Sequence, residues 1–295
     1  MLRLELPCAA ALVLLCAGAA LSQEDPVTVE VLVDQVKAND YDAQGTAVKL
    51  GASGSEALIP LVESSEEYRL LAAICLNLTG GPKAAAKGLE LLRDRDPQLV
   101  SIGIKILHRT PPEGHEDELL SLYESTRDEY LREQLPVIAS RLKAPRPAAW
   151  LELEKSRHRW PEDQAEPGPE QVLAVANPGL VKGVARMGNA PAQREFNRRV
   201  ARAKGEALRR WIEEAVAIKE PWVVDGLSTL LGDEQVLVEI GADGMPKTMV
   251  RACDLAVWGI AEVKGLDFGF KVDRFSNYSP AQREVVRRKL VTGGS

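Results

Sequence analysis

Four times between Tyr41 and Lys143 the chain repeats one pattern. A polar or acidic start leads into an apolar stripe at helical spacing, a short break follows, and a second helix precedes the next start. The second helices are predicted over 42–50, 67–76, 96–107 and 128–138, with Gln44, Arg69, Gln98 and Arg132 in equivalent places. Those four residues are separated by roughly 25 to 34 positions, the period of stacked helix pairs. A single pair of this size cannot bury its apolar stripe alone. Stacking buries it, and the product is an extended surface.

Residues 1–22 read as a secretory signal peptide. Arg3 precedes an apolar or small run from Cys8 to Leu21, and Ala17-Gly-Ala19 and Ala20-Leu-Ser22 offer small-x-small cleavage sites. The run is shorter than the roughly 18 residues that span a bilayer, so a retained anchor is not expected. Cys16 follows Val-Leu-Leu, but Leu15 stands where a lipidation signal needs a small residue, so cleavage is the favoured reading over a lipoprotein. No other stretch is apolar enough to cross a membrane, and export to the periplasm or medium is the expected localisation.

The formal charge is −6, and a dedicated nucleic-acid binder would carry a basic excess. No nucleic-acid partner is therefore expected. Aromatic residues make up only 5% of the chain, which suits a helical protein better than a β-sandwich. Two cysteines remain beyond the signal region, Cys75 and Cys253, each on an apolar helical face. Export permits a bridge between them, but such faces are also where buried free thiols sit. With three scattered histidines, they form no metal-ligand spacing.

The first helix is predicted over 27–38, and Ser53 or Ser55 is placed to cap the next helix after the Gly51–Gly54 turn. Leu78-Thr-Gly-Gly-Pro82 and Thr110-Pro-Pro-Glu-Gly114 stop one helix and start another. Gly45, Gly103 and Pro136 fall inside predicted helices, where glycine costs about 1 kcal/mol against alanine and Pro136 should kink or shorten its helix. Residues 144–171, with five prolines among charges, read as a joint whose helical part packs on the last repeat. A long helix is expected over 191–219, with an apolar seam of Phe196, Val200, Ala203, Ala207 and Trp211 flanked by arginines. Two β-prone runs, 236–240 and 247–251, flank a Gly/Asp-Gly turn and predict a hairpin. Helices over 251–264 and 279–290 close the chain.

These residues carry a resemblance. Asp96-Pro97 at an inter-helix turn, Arg69 and Arg132 in second helices, and the Ala72-Ala73 and Leu76 core positions are similar to HEAT repeats of the short bacterial kind, from Val27 to Lys143. Val250-Arg-Ala-Cys-Asp-Leu-Ala-Val257, Ile260-Ala-Glu-Val-Lys-Gly265 and Asp267-Phe-Gly-Phe270 resemble the ending of many exported bacterial HEAT-repeat proteins. The resemblance implies an all-α fold: a right-handed α-solenoid of helix pairs over 23–143, then an irregular helical region over 172–290 with one small β-hairpin and a repeat-like closing element. It brings no catalytic residue with it.

The most site-like cluster is Arg251, Cys253 and Asp254, but a cysteine nucleophile needs a base in reach. His108, His115 and His158 are all distant in sequence, so local capping and burial are the expected roles. His108 and His115 flank one turn without an evident third ligand, and Glu116, Asp117 and Glu118 suit the first turn of a helix. No catalytic, cofactor or metal residue is assigned. The expected function is that of an exported, non-enzymatic scaffold or adaptor for a protein partner, with Arg69, Gln98 and Arg132 as candidate contacts. Alternatively those three bridge neighbouring repeats. A second reading is an enzyme or enzyme subunit with a ligand-binding module in the C-terminal half. A third is an envelope protein that touches an anionic surface through helix 194–210, with Arg198, Arg199 and Arg202 as contacts.

Overall fold

The computed structural model describes residues 27–161, 166–241 and 247–292, and these are mostly helical with one two-stranded sheet. The expected signal segment and most of the hairpin turn lie outside the described residues. The chain divides into two compact units, Met1–Ala84 and Ala85–Ser295.

In the first unit, α1 (Val29–Lys37), α2 (Ala43–Leu50), α3 (Ser55–Glu63) and α4 (Arg69–Thr79) follow the predicted pairs. Thr28 caps α1 by accepting from Val31 N at 3.3 Å. Leu32, Val36, Ala47, Leu58, Val62, Ala72, Cys75 and Leu76 make the core. Ser55 does not cap α3, because Gly54 holds that position. Its hydroxyl instead donates to the Gly80 carbonyl at 2.7 Å, beside Thr79 Oγ1 at 2.9 Å. Gly80 ends α4 at φ +67°, as the sequence predicts for that turn.

Helix α5 (Gly81–Leu91) spans the division between the units. The second unit continues with α6 (Pro97–Arg109), α7 (Glu116–Ser125), α8 (Glu129–Ala139), α9 (Pro147–Arg157), α10 (Pro169–Val175) and α11 (Pro178–Arg186). Asp96, Asp128 and Asn177 cap α6, α8 and α11 by accepting backbone N–H groups at 2.8–3.0 Å. Proline at the first helical position costs nothing there, because that N–H has no helical partner anyway. Gly103 is not a defect in α6: a Cβ there would lie 2.9 Å from the Gly88 carbonyl, so the glycine permits a close crossing with α5. Helix α8 runs through Pro136 to Ala139 rather than stopping short.

The proline-rich stretch 144–171 contributes α9, whose Trp150 is fully buried in the core of this unit. Beyond it, α11 packs on α8 at backbone distance. A Cβ on Gly179 would fall 2.0 Å from the Glu133 carbonyl oxygen, and one on Gly183 would fall 2.4 Å from that of Pro136. Two glycines four residues apart share one helix face, so together they remove the side chains that would hold the helices apart.

The expected single helix over 191–219 is two: α12 (Ala190–Arg202) and α13 (Gly205–Ile218). Ala203 and Lys204 are extended, and Gly205 has φ +55°. A straight helix of that span would run about 43 Å and carry its seam away from the core. The break folds the seam on itself, so that Phe196 and Trp211 meet edge to face at 4.9 Å. Helix α14 (Val223–Ser228) and a short 3-10 turn follow, then β1 (Val236–Ile240) and β2 (Thr248–Arg251). The strands pair antiparallel, Val238 opposite Val250 and Ile240 opposite Thr248, with an irregularity between Val236 and Val238. Helices α15 (Ala252–Lys264) and α16 (Pro280–Thr292) close the chain, and Gly265 ends α15 in the left-handed region as the sequence predicts.

The glycine contact makes a direct prediction. Gly183→Ala should destabilise the protein by about 2–3 kcal/mol through overpacking. Gly45→Ala, in helix α2 where a Cβ meets nothing within 4 Å, should stabilise by about 0.5–1 kcal/mol. Denaturant midpoints of the two variants should therefore move in opposite directions.

Candidate functional site

The last four carbonyls of a helix have no partner within it. In this protein, arginines from elsewhere in the chain meet several of them. Arg69 Nε donates to the Val62 carbonyl at the end of α3 at 2.8 Å. Arg132 Nη2 donates to the Thr126 carbonyl just past α7 at 2.7 Å. Arg157 Nη1 reaches the Tyr123 and Glu124 carbonyls of the same helix at 3.0 and 3.1 Å. Arg199 Nη2 takes the Leu173 and Ala176 carbonyls at the end of α10 at 2.7 and 3.0 Å. Arg141 donates to the His108 carbonyl in the last turn of α6. A cation at these ends also meets the negative pole of the helix.

Of the residues singled out in the sequence, Arg69 and Arg132 thus serve the first helix of their own pair. Gln98 is exposed in the first turn of α6. The basic helix is largely neutralised from within. Arg198 and Arg199 pair with Glu195 at 2.6 and 2.9 Å, and Arg194 pairs with Glu170 at 2.8 Å. Arg202 is exposed and makes no ion pair among the described residues.

Arg251, Cys253 and Asp254 come together as an internal lock. Asp254 is fully buried at the start of α15. Its Oδ2 accepts from Arg251 N and Nε at 3.0 and 2.8 Å, and its Oδ1 accepts from Arg251 Nη2 and Tyr278 N at 2.9 and 2.8 Å. Asn277, with its amide turned to donate, adds Asp254 Oδ2 at 3.1 Å and the Met249 carbonyl at 2.8 Å. Arg251 also holds Glu234, which Arg283 meets from the other side at 2.6 Å. Burial and the Asp254 carboxylate push the neighbouring Cys253 thiol up, away from the thiolate that a nucleophile requires. Cys75 is a buried free thiol too, pushed up to about 11 by desolvation.

The histidines beside the Thr110 turn take separate partners. His108 Nε2 lies 2.9 Å from Gln134 Oε1, and His115 Nδ1 lies 3.3 Å from Glu118. No group of three metal-donor side chains occurs among the described residues. Glu116 does begin α7, and it is also buried, accepting from Arg146 Nε at 2.8 Å and from Trp150 Nε1 at 3.0 Å. Nearby, Glu154 accepts from the Tyr123 hydroxyl at 2.7 Å and meets His158 Nε2 at 3.1 Å. These clusters staple α7 to α9.

One further feature was not read from the sequence. A cleft of about 330 Å³ opens between α8, α11 and α13, lined by Glu133, Pro178, Lys182, Arg210 and Trp211. Lys182 Nζ bonds Glu214 at 2.9 Å and lies 5.3 Å from the centre of the Trp211 ring. The close crossing of α8 and α11 fixes the width of this cleft. The only local sequence signal for it is Gly179-x-x-x-Gly183. No helix among the described residues is long and apolar enough to cross a membrane.

Two outcomes follow. Arg199→Met should cost about 2 kcal/mol by removing charged hydrogen bonds, while Arg202→Met should stay within about 0.5 kcal/mol. Denaturant titration compares the two. His108 is held below its ordinary 6.5, chiefly by burial and further by Arg141 and Arg186, against the opposing effects of the Gln134 hydrogen bond and Glu214. Below about pH 6.5 the unfolded chain takes this proton before the folded one does. Stability should therefore fall as pH drops from 6.5 through the depressed value. His108→Gln should flatten that part of a melting-temperature profile, and parallel profiles would contradict the assignment.

Searches among known proteins find no matching family model and no matching curated protein. Among solved structures the chain is similar to an engineered protein determined by the Northeast Structural Genomics Consortium, at 13% identity over 90% of this chain and 78% of that one. The TM-score is 0.36, too low to bear on the fold.

Proposed function

We propose that this protein is an exported, non-enzymatic scaffold or adaptor of HEAT-like α-solenoid character. It binds a partner protein through the side of the second unit where α8, α11 and α13 meet. The observation that carries the reading is the exposure of aromatic and basic side chains together on this side. Here a partly exposed tryptophan, a lysine and an arginine line an open cleft, and Arg210 keeps 74% of its side chain exposed. Partly exposed aromatic and arginine side chains are typical anchors of protein interfaces.

Export is supported by the signal-peptide pattern of residues 1–22. The enzyme reading loses its best candidate, because Cys253 is buried beside a carboxylate and its thiol is pushed up. The anionic-surface reading is weakened by the internal pairing of Arg194, Arg198 and Arg199, which leaves Arg202 as its main support.

Site-specific photo-crosslinking separates these readings. A photoreactive residue at position 210 should capture a defined protein from the exported compartment, and one at Glu152, exposed on α9, should not. Capture at Arg202 of envelope lipid in place of protein would favour the anionic surface. Equal labelling at positions 210 and 152 across several growth conditions would remove the scaffold reading.

A further inference from the structure

A second cleft in the same unit has a different lining. It measures about 460 Å³ and lies between α14, the 3-10 turn after it, α15 and α16. Its buried lining is apolar, from Val224 and Leu231, and Pro221, Leu290 and Val291 extend that character toward the surface. Three charged side chains complete it. Arg287 is paired with Glu284 at 3.2 Å, one turn back on α16. Asp225 on α14 and Lys264 on α15 are exposed, and among the described residues neither side chain makes a hydrogen bond or an ion pair.

With Glu284 included, two positive charges stand against two negative ones, so the cleft is neutral. It therefore holds no net attraction for a simple anion or a simple cation. The two signs are nevertheless separated: the carboxylate of Asp225 comes from α14, and the cations come from α15 and α16. Complementary placing of charge selects a partner with the opposite arrangement, here one positive and one negative end. The Arg287–Glu284 pair is solvent-exposed, and such pairs are weak enough to be exchanged for a ligand group. Between the charges, an apolar body would leave water for the surfaces of Val224 and Leu231. The volume lies within the range of small-molecule pockets and exceeds what a lone ion needs.

We propose that the cleft between α14, α15 and α16 binds a small apolar zwitterion, an amino acid or dipeptide with both ends free. Asp225 takes the ammonium group, Lys264 takes the carboxylate with Arg287 beside it, and the apolar side chains rest on Val224, Leu231 and Leu290. This is a ligand site, and it goes beyond the scaffold reading without depending on it.

The test uses the whole mature chain and four probes: leucine, leucyl-leucine, N-acetyl-leucyl-leucine, which lacks the ammonium group, and leucyl-leucine amide, which lacks the carboxylate. Binding is followed by titration calorimetry and by the NMR shifts of the Leu231 and Leu290 methyl groups. Leucine or leucyl-leucine should bind saturably, and each blocked dipeptide should bind at least roughly tenfold more weakly than leucyl-leucine, as expected for losing a charged hydrogen bond. Tighter binding of leucine assigns the amino acid and tighter binding of leucyl-leucine assigns the peptide, and either result supports the site. D225N should weaken leucyl-leucine to the level of its acetylated form, and K264Q should narrow the gap between leucyl-leucine and its amide. A merely structural role for these two exposed residues would leave that selectivity unmoved. Arg288→Gln, on α16 but outside the lining, should leave binding unchanged. No saturable binding of either free zwitterion, equal binding of free and blocked dipeptides, or full affinity in both D225N and K264Q would overturn the proposal. None of those results bears on photo-crosslinking at position 210, so the scaffold reading stands or falls separately.

Discussion

Backbone against backbone is the contact on which the second unit turns. At Gly179 and Gly183 helix α11 meets α8 with no side chain between them, so that the carbonyls of Glu133 and Pro136 lie where β-carbons would otherwise be. Close-packed interiors transmit such a constraint, because neighbouring elements cannot slide to absorb an added methyl group. Set on α8 in this way, α11 carries Lys182 toward α13 and lines up the elements around the cleft. Beyond the prolines of 144–171 it also contacts α9, whose Trp150 is fully buried.

A second constraint comes from helix length. Every α-helix among the described residues has between six and fourteen residues, so a large share of their carbonyls lie in last turns without an internal donor. Glycine endings at Gly80 and Gly265 satisfy some of them. Arginines satisfy others, and the same guanidinium often does two jobs: Arg199 holds Glu195 on its own helix and the end of α10 across from it. The closing lock around Asp254 follows the same economy, with one buried carboxylate organising a strand end, a helix start and the loop before α16.

Much of this was legible in the sequence where the signal is local. Asp96 and Asp128 mark helix starts, Gly80 and Gly265 mark ends, and the 236–240 and 247–251 runs mark the hairpin, because each works within a few residues of itself. The break after α12 was not legible. Phe196, Val200, Ala207 and Trp211 keep helical spacing through it, and the cost of one glycine at 205 is too small to announce a stop. The arginine roles were hidden for another reason: their acceptors are backbone groups, which leave no letter in the sequence. Residues 133, 178–182 and 206–211 meet only because three helices distant in the chain converge, so the cleft has no linear motif.

The use of backbone carbonyls as acceptors has an evolutionary consequence. A salt bridge between side chains constrains two positions, and losing either leaves the other stranded. A guanidinium on a carbonyl constrains one, since any residue at the end of the clasped helix supplies the same oxygen. Helix ends such as Val62, Thr126 and Leu173 are free to drift in identity while their arginine is retained. Divergent relatives of this chain would then be recognised by the spacing of arginines from helix ends rather than by the residues those arginines touch.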